Sequence, residues 1–158
     1  MGKYQSTKVF DGFSCVFRQW KADGTHCKYV HGYGVSFKLW FEGDLDERNW
    51  VWDFGGMKRA KGTIDGMSPK DWMDYMFDHT TIIAEDDPAL GGFKTMSDLG
   101  IIQLRILPAV GAEQFAKYIF EKYLFQISHQ YEINCYGLRF FNVYGPNQND
   151  RGPYAPVI

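Results

Sequence analysis

Residues 8–20, KVFDGFSCVFRQW, alternate between a side carrying Val9, Asp11, Phe13, Cys15 and Phe17 and a side carrying Phe10, Gly12, Ser14, Val16 and Arg18. A two-residue period of this kind predicts a strand with one largely apolar face. Residues 35–43, VSFKLWFEG, alternate more cleanly: Val35, Phe37, Leu39 and Phe41 share one face, and Ser36, Lys38, Trp40 and Glu42 share the other. The two runs read as antiparallel strands joined by a long segment that holds Cys27 and His31. GDLDERN then reads as a turn and WVWDFGG as a short extended piece ending in glycines.

The pattern changes at SPKDWMDYMFDHT, where Ser68 stands as an N-cap, Pro69 at the first helical position and Asp71 in the first turn. Trp72, Met76 and His79 fall on nearly one face of that helix. A loop containing Pro88 and LGG follows, then a short strand or turn at IIQLRIL. Phe115, Ile119, Phe120, Tyr123 and Leu124 recur at three-to-four spacing, predicting a second helix from about Gly111 to Gln126. EINCYGLRFFNVYG closes the chain as a strand. The order is β-β-α-α-β with room for one more strand, an α+β arrangement. An antiparallel sheet with two helices on one face leaves its other face bare, and self-association would cover it.

Composition narrows the class. A chain of 158 residues fits a single domain spanning residues 1–158. Its 18% aromatic content is high, so much aromatic surface must be packed within or between subunits. A net charge of -2 offers no footprint for nucleic acid, and no apolar run reaches the length of about 20 residues that spans a membrane. Cys15, Cys27 and Cys135 form no CxxC pair and follow no secretory leader, which predicts reduced thiols in the cytoplasm. A small molecule or a protein is the expected partner.

Four elements could carry chemistry. Cys27 precedes His31 by four residues, Asp78 adjoins His79, Glu113 begins the second helix, and Asp53 sits in WDFGG. A thiol serves as base or nucleophile when a neighbouring imidazolium or metal lowers its pKa; otherwise it packs as a small hydrophobe. The Asp78–His79 pair could exchange protons or simply end a helix, and Glu113 could complement the helix dipole. Asp53 is an ordinary turn former. An H-x-H zinc motif would need a histidine where Tyr33 stands.

Together these pieces resemble the 6-pyruvoyltetrahydropterin synthase and 6-carboxytetrahydropterin synthase family. The family's F-S-A-A-H-R, C-x-x-x-H-G-H, V-V-D-F-G, D-H and A-E-N motifs correspond, in order, to FSCVFR, CKYVHGY, WVWDFGG, FDHT and AEQFA. The resemblance implies a T-fold whose trimers close a β-barrel and pair into hexamers. It implies zinc held by three histidines and a lyase acting on 7,8-dihydroneopterin triphosphate or a related pterin, with members in queuosine biosynthesis.

Carried over by position, Cys27 is the catalytic base, Asp78 and His79 the acid-base pair supplied by a neighbouring subunit, and Glu113 the helix glutamate. His31 is one zinc ligand, while Phe17 and Tyr33 occupy the other two ligand positions. The pterin-anchoring glutamate of the last strand falls near Asn142 or Val143, and Gly111 replaces the usual threonine. Gln19, Tyr33 and Arg18 could line a metal-free polar pocket against Cys27, Asp78 and His79. His26, Cys27 and His31 could instead rebuild a metal site. The sequence therefore carries two functional expectations, a divergent pterin lyase and a non-catalytic T-fold protein that binds pterin or serves assembly.

Overall fold

A computed structural model describes residues 4–59, 64–124 and 138–140. Its centre is a five-stranded sheet in the order β4-β3-β1-β2-β5. Strand β1 (Tyr4–Phe17) pairs antiparallel with β2 (His31–Gly43), and β5 (Leu138–Phe140) joins β2 antiparallel through Phe37, Lys38 and Leu39. Strand β3 (Thr80–Ala84) adds to β1 in parallel, and β4 (Leu104–Leu107) adds to β3 in parallel. The sheet is thus mixed, where the alternation predicted an antiparallel one. Parallel neighbours need a crossover, and helix α3 (Leu90–Asp98) supplies the one between β3 and β4.

Strand β1 departs from simple alternation. Phe10 pairs with Phe37 and Phe13 with Val35, so β1 spends one residue more than β2 between those rungs. Gly12, at φ 84, takes the left-handed conformation such a bulge requires. The bulge places Phe10 and Phe13 on one face, both buried, whereas uninterrupted alternation set them on opposite faces. In β2 the expected face holds, with Val35, Phe37, Leu39 and Phe41 all buried.

Two helices cover that face. Helix α2 (Pro69–Phe77) starts as its sequence dictates, with Ser68 accepting a hydrogen bond from the Asp71 backbone N–H and Pro69 in the first turn. Its Phe77 ring lies 4.7 Å from Phe37, and Phe77 meets Phe115 of α4 (Ala112–Ile119) at 5.5 Å. Trp72 stacks on Tyr118 at 5.8 Å, tying the two helices together. Helix α4 runs on into a wider π-type turn at Phe120–Leu124. Truncating a ring as buried as Phe37 to alanine costs about 4 kcal/mol.

Two elements lie where the sequence reads as loop. Strand β3 is buried along its whole length, Ile82 joining the main core while Ile83 lies outside that cluster. Helix α3 contributes the buried Phe93, likewise outside the main cluster. A short helix α1 (Gly56–Arg59) begins at the last glycine of the WDFGG segment. On the opposite face of the β1–β2 ribbon, Val9 and Ser14 are exposed and Lys38 and Trp40 half-buried, the bare face that the two-helix arrangement anticipates. Among the described residues, no helix is long and apolar enough to cross a membrane.

Candidate functional site

The end of β1, the start of β2 and the N-terminus of α4 meet in one cluster. Phe17 pairs with His31 and Cys15 with Tyr33, so these side chains share the core face of the ladder. Phe17 and Tyr33 stack with centroids 3.9 Å apart and planes at 12°. His31 leans on Tyr33 at 4.4 Å, and Phe115 meets Phe17 edge-on at 5.0 Å. The three family ligand positions therefore do converge, and they converge as packed rings.

This set does not fit a three-histidine zinc centre. Phe17 carries no donor atom. Burial and the neighbouring Cys27 and Cys15 push the Tyr33 hydroxyl up to about 12, which keeps it a neutral phenol at physiological pH. His31 donates Nδ1–H to the Tyr29 carbonyl at 2.8 Å, leaving Nε2 as the lone imidazole donor. His26, Cys27 and His31 do not rebuild a site either: among the described residues, no three His, Cys, Asp or Glu side chains are grouped to hold a metal.

Cys27 lies in a 3-10 turn, His26–Lys28, whose start is capped by Thr25 Oγ1 accepting from the Cys27 N–H at 3.2 Å. Its carbonyl accepts from the Gln19 N–H at 2.8 Å. Cys27 is half-buried, and its nearness contributes to the raised pKa of the Tyr33 hydroxyl. Cys15 differs, because burial alone pushes its thiol up to about 12 and leaves it a packing group.

Gln19 and Glu113 come together over Gly111. That glycine stands at the N-terminus of α4 with φ 126, and a Cβ placed on it would lie 2.4 Å from Gln19 Nε2 and 3.9 Å from Glu113 Oε2. Only a residue without a side chain leaves Gln19 where it is. Glu113, in the first turn of α4, is exposed and complements the helix dipole. Arg18 is not available to such a pocket, since its guanidinium grips buried Asp87 through two hydrogen bonds of 2.7 and 2.5 Å. Beside Gln19 a cleft of about 370 Å³ opens between Trp20, Lys21, Asp86, Pro108 and Val110. Neither the Gly111 contact nor this cleft had a local signal in the sequence beyond the glycine itself.

Asp78 and His79 form a pair at 3.0 Å between carboxylate and Nδ1. The ring bond and the Ser14 N–H hold the Asp78 carboxyl below the usual range. His79 does not share a helix face with Trp72 and Met76 as its spacing suggested. It follows the end of α2 at φ 55, its backbone N–H bonded to the Ser14 carbonyl at 2.6 Å, and its ring projects into solvent. Among the described residues, no hydrogen bond or ion pair links this pair to Cys27 of the same chain. Asp53 caps the start of α1 through the Gly56 N–H at 3.1 Å, a structural role. Asn142 and Val143 lie outside the described residues.

Comparison with known proteins accords with this fold. A solved structure of an uncharacterized protein from Wolinella succinogenes superposes with a TM-score of 0.61 at 20% identity, covering 75% of this chain and 81% of that one. A catalytic-residue mutant of Plasmodium vivax 6-pyruvoyltetrahydropterin synthase superposes with a TM-score of 0.51 at 14% identity, covering 82% and 83%. At such identities the likeness is one of fold. An ADP-L-glycero-D-manno-heptose-6-epimerase of Brachyspira hyodysenteriae is 44% identical over 45 residues, 27% of this chain, and the chain spans only 14% of that protein's length. The family model described as 6-pyruvoyl tetrahydropterin synthase matches residues 6–142. The chain belongs to the 6-pyruvoyl tetrahydropterin synthase family.

Proposed function

We propose that the protein is a divergent 6-pyruvoyl-/6-carboxytetrahydropterin synthase-like lyase acting on dihydroneopterin triphosphate or a related pterin without a three-histidine zinc centre. The observation that carries this reading is Cys27, half-buried in a turn whose carbonyl is tied at 2.8 Å to the Gln19 N–H just beyond the end of β1. As the thiolate, Cys27 takes a proton from the side-chain carbon of the pterin, and the electron pair released expels triphosphate. Asp78 keeps His79 oriented to handle the second proton, with Nδ1 committed to the carboxylate and Nε2 left to face substrate. Glu113, Gln19 and Tyr33 bind the ring.

The pair and Cys27 belong to one site only if a second subunit brings its Asp78 and His79 alongside. A trimer or hexamer built on the bare face of β1 and β2 is the assembly this reading requires. Incubation with dihydroneopterin triphosphate, following triphosphate release with Cys27→Ala as control, tests it. Turnover that depends on Cys27 and persists in chelator supports the lyase; no turnover and no pterin binding sinks it. A second reading, a pterin-binding or assembly protein without catalysis, is favoured by the Phe17–Tyr33 stack, and pterin binding without turnover would select it.

A further inference from the structure

The turn that carries Cys27 is held from a distance. Asp87 lies in the connection from β3 to α3 with its side chain fully buried, and its carboxylate accepts the Ala89 N–H at 2.8 Å and the Arg18 guanidinium at 2.7 and 2.5 Å. A two-point fork between opposite charges fixes orientation as well as distance. Its neighbour Asp86 accepts from Trp20 Nε1 at 3.0 Å and from Lys21 Nζ at 2.5 Å, so Arg18, Trp20 and Lys21, which follow β1, are all strapped to one acidic dipeptide. Gln19, between them, passes the constraint on through its backbone. Its N–H donates to the Cys27 carbonyl at 2.8 Å, and its carbonyl accepts from the Ala22 N–H at 2.9 Å. The Ala22 carbonyl accepts in turn from the Thr25 N–H at 3.2 Å and the Thr25 hydroxyl at 3.0 Å, and Thr25 Oγ1 accepts from the Cys27 N–H at 3.2 Å. Both backbone groups of Cys27 thus end a path of contacts that starts at Asp86 and Asp87.

We propose that Arg18 and Asp87 are positioning residues for the Cys27 thiol: the fork between them anchors the segment that closes on Cys27 and keeps its turn shut. The proposal rests on the reading of Cys27 as the reactive group and adds the pair that holds it in place. The connection from β3 to α3 reaches the candidate site in this way without placing a side chain in it. Weakening the fork loosens one end of the path, so the turn from Gln19 to Cys27 opens more often. A half-buried thiol in such a turn meets reagents from the open form and reacts with them faster, while it spends less time where a substrate would need it.

Alkylation of the native protein by iodoacetamide, with the modified cysteine identified by peptide mass mapping, reads the turn directly. Arg18→Lys keeps the charge but loses the planar fork, and Asp87→Asn loses the charge as well. Alkylation of Cys27 is expected to be about fivefold faster in Arg18→Lys and about tenfold faster in Asp87→Asn, both within the range of one lost hydrogen bond. Ser68→Ala, which weakens the fold at the start of α2, is expected to leave the rate as in the wild type. Where the wild type releases triphosphate, both variants of the fork are expected to lower kcat by similar factors at unchanged KM, since neither residue meets the substrate. An unchanged Cys27 rate in Arg18→Lys, or an equal rise in Ser68→Ala, overturns this proposal and leaves the lyase reading standing. Wild-type protein with neither turnover nor pterin binding overturns the lyase reading, and faster alkylation in the fork variants alone still supports the positioning of Cys27. Should Asp87→Asn not fold, Arg18→Lys decides by itself.

Discussion

Phe17 and Tyr33 sit one diagonal step apart on the β1–β2 ladder and stack in near-parallel contact at 3.9 Å. Each ring occupies ground where the family resemblance sets a histidine, and together with Phe115 they convert a ligand sphere into an extension of the core. Either ring alone would lose its stacking partner.

Replacing both, in Phe17→His with Tyr33→His, returns three imidazoles to one face of the ladder. The double variant is expected to retain about one zinc per chain after dialysis. Wild-type protein carried through the same procedure is expected to retain no stoichiometric metal. Elemental analysis of the two preparations checks the pair, and stoichiometric zinc in the wild type would falsify the packing interpretation.

The Arg18–Asp87 pair gives stability a pH dependence of known sign. Arg18 holds the buried Asp87 carboxyl below the ordinary range, so the folded state binds this proton less readily than the unfolded one. The contribution is fully present above the unfolded value near about 4 and fades as pH falls toward the lower folded value. Asp87→Asn is expected to lose about 3 kcal/mol near neutrality, by leaving Arg18 without its charge partner. Urea titrations from neutral pH downward should show wild type and variant converging in the acid limb; a constant gap would contradict the assignment.

At His79 the backbone and the side chain ask for different residues. A φ of 55 favours glycine, while the Asp78 contact needs the ring. His79→Gly is expected to be about 1 kcal/mol more stable than His79→Ala, because both lack the ring and only alanine keeps the strain. Melting curves of the two variants provide the comparison, and equal stabilities would show that the left-handed turn carries no cost.

Ser68 accepts from the Asp71 N–H at 3.2 Å and donates its own hydroxyl to the Asp71 carboxylate at 2.7 Å. Ser68→Ala is expected to destabilise the fold by about 1 kcal/mol, read as a lower denaturation midpoint at unchanged slope. No loss would mean that Pro69 alone fixes the helix start.

That same serine explains what could be read from the chain. Ser68, Pro69 and Asp71 are local signals, each acting within one helical turn, so α2 is legible without tertiary information. The α3 helix is not, because Gly91 and Gly92 in its first turn oppose helix by about 1 kcal/mol each and the compensation comes from Phe93 and from the crossover that β3 and β4 impose. Strand β3 is buried throughout, so TTIIA shows no alternation to read. In the candidate site, the family resemblance picked out positions 17, 31 and 33, Cys27 and Glu113. It could not show that rings would stack there, or that Gln19 would lie over Gly111, because both depend on contacts between distant segments and on one backbone angle.

The bulge at Asp11 and Gly12 acts as a phase corrector for the longest strand in the sheet. Upstream of it Ser6, Lys8 and Phe10 point inward on even numbers; downstream Phe13, Cys15 and Phe17 do so on odd ones. Deleting a single residue here would leave the two halves of β1 with incompatible demands, and whichever half kept its register would force the other to turn its apolar side chains to water. The ring cluster at Phe17 and the sheet's outer end at Tyr4 are therefore kept in step by one glycine that touches neither.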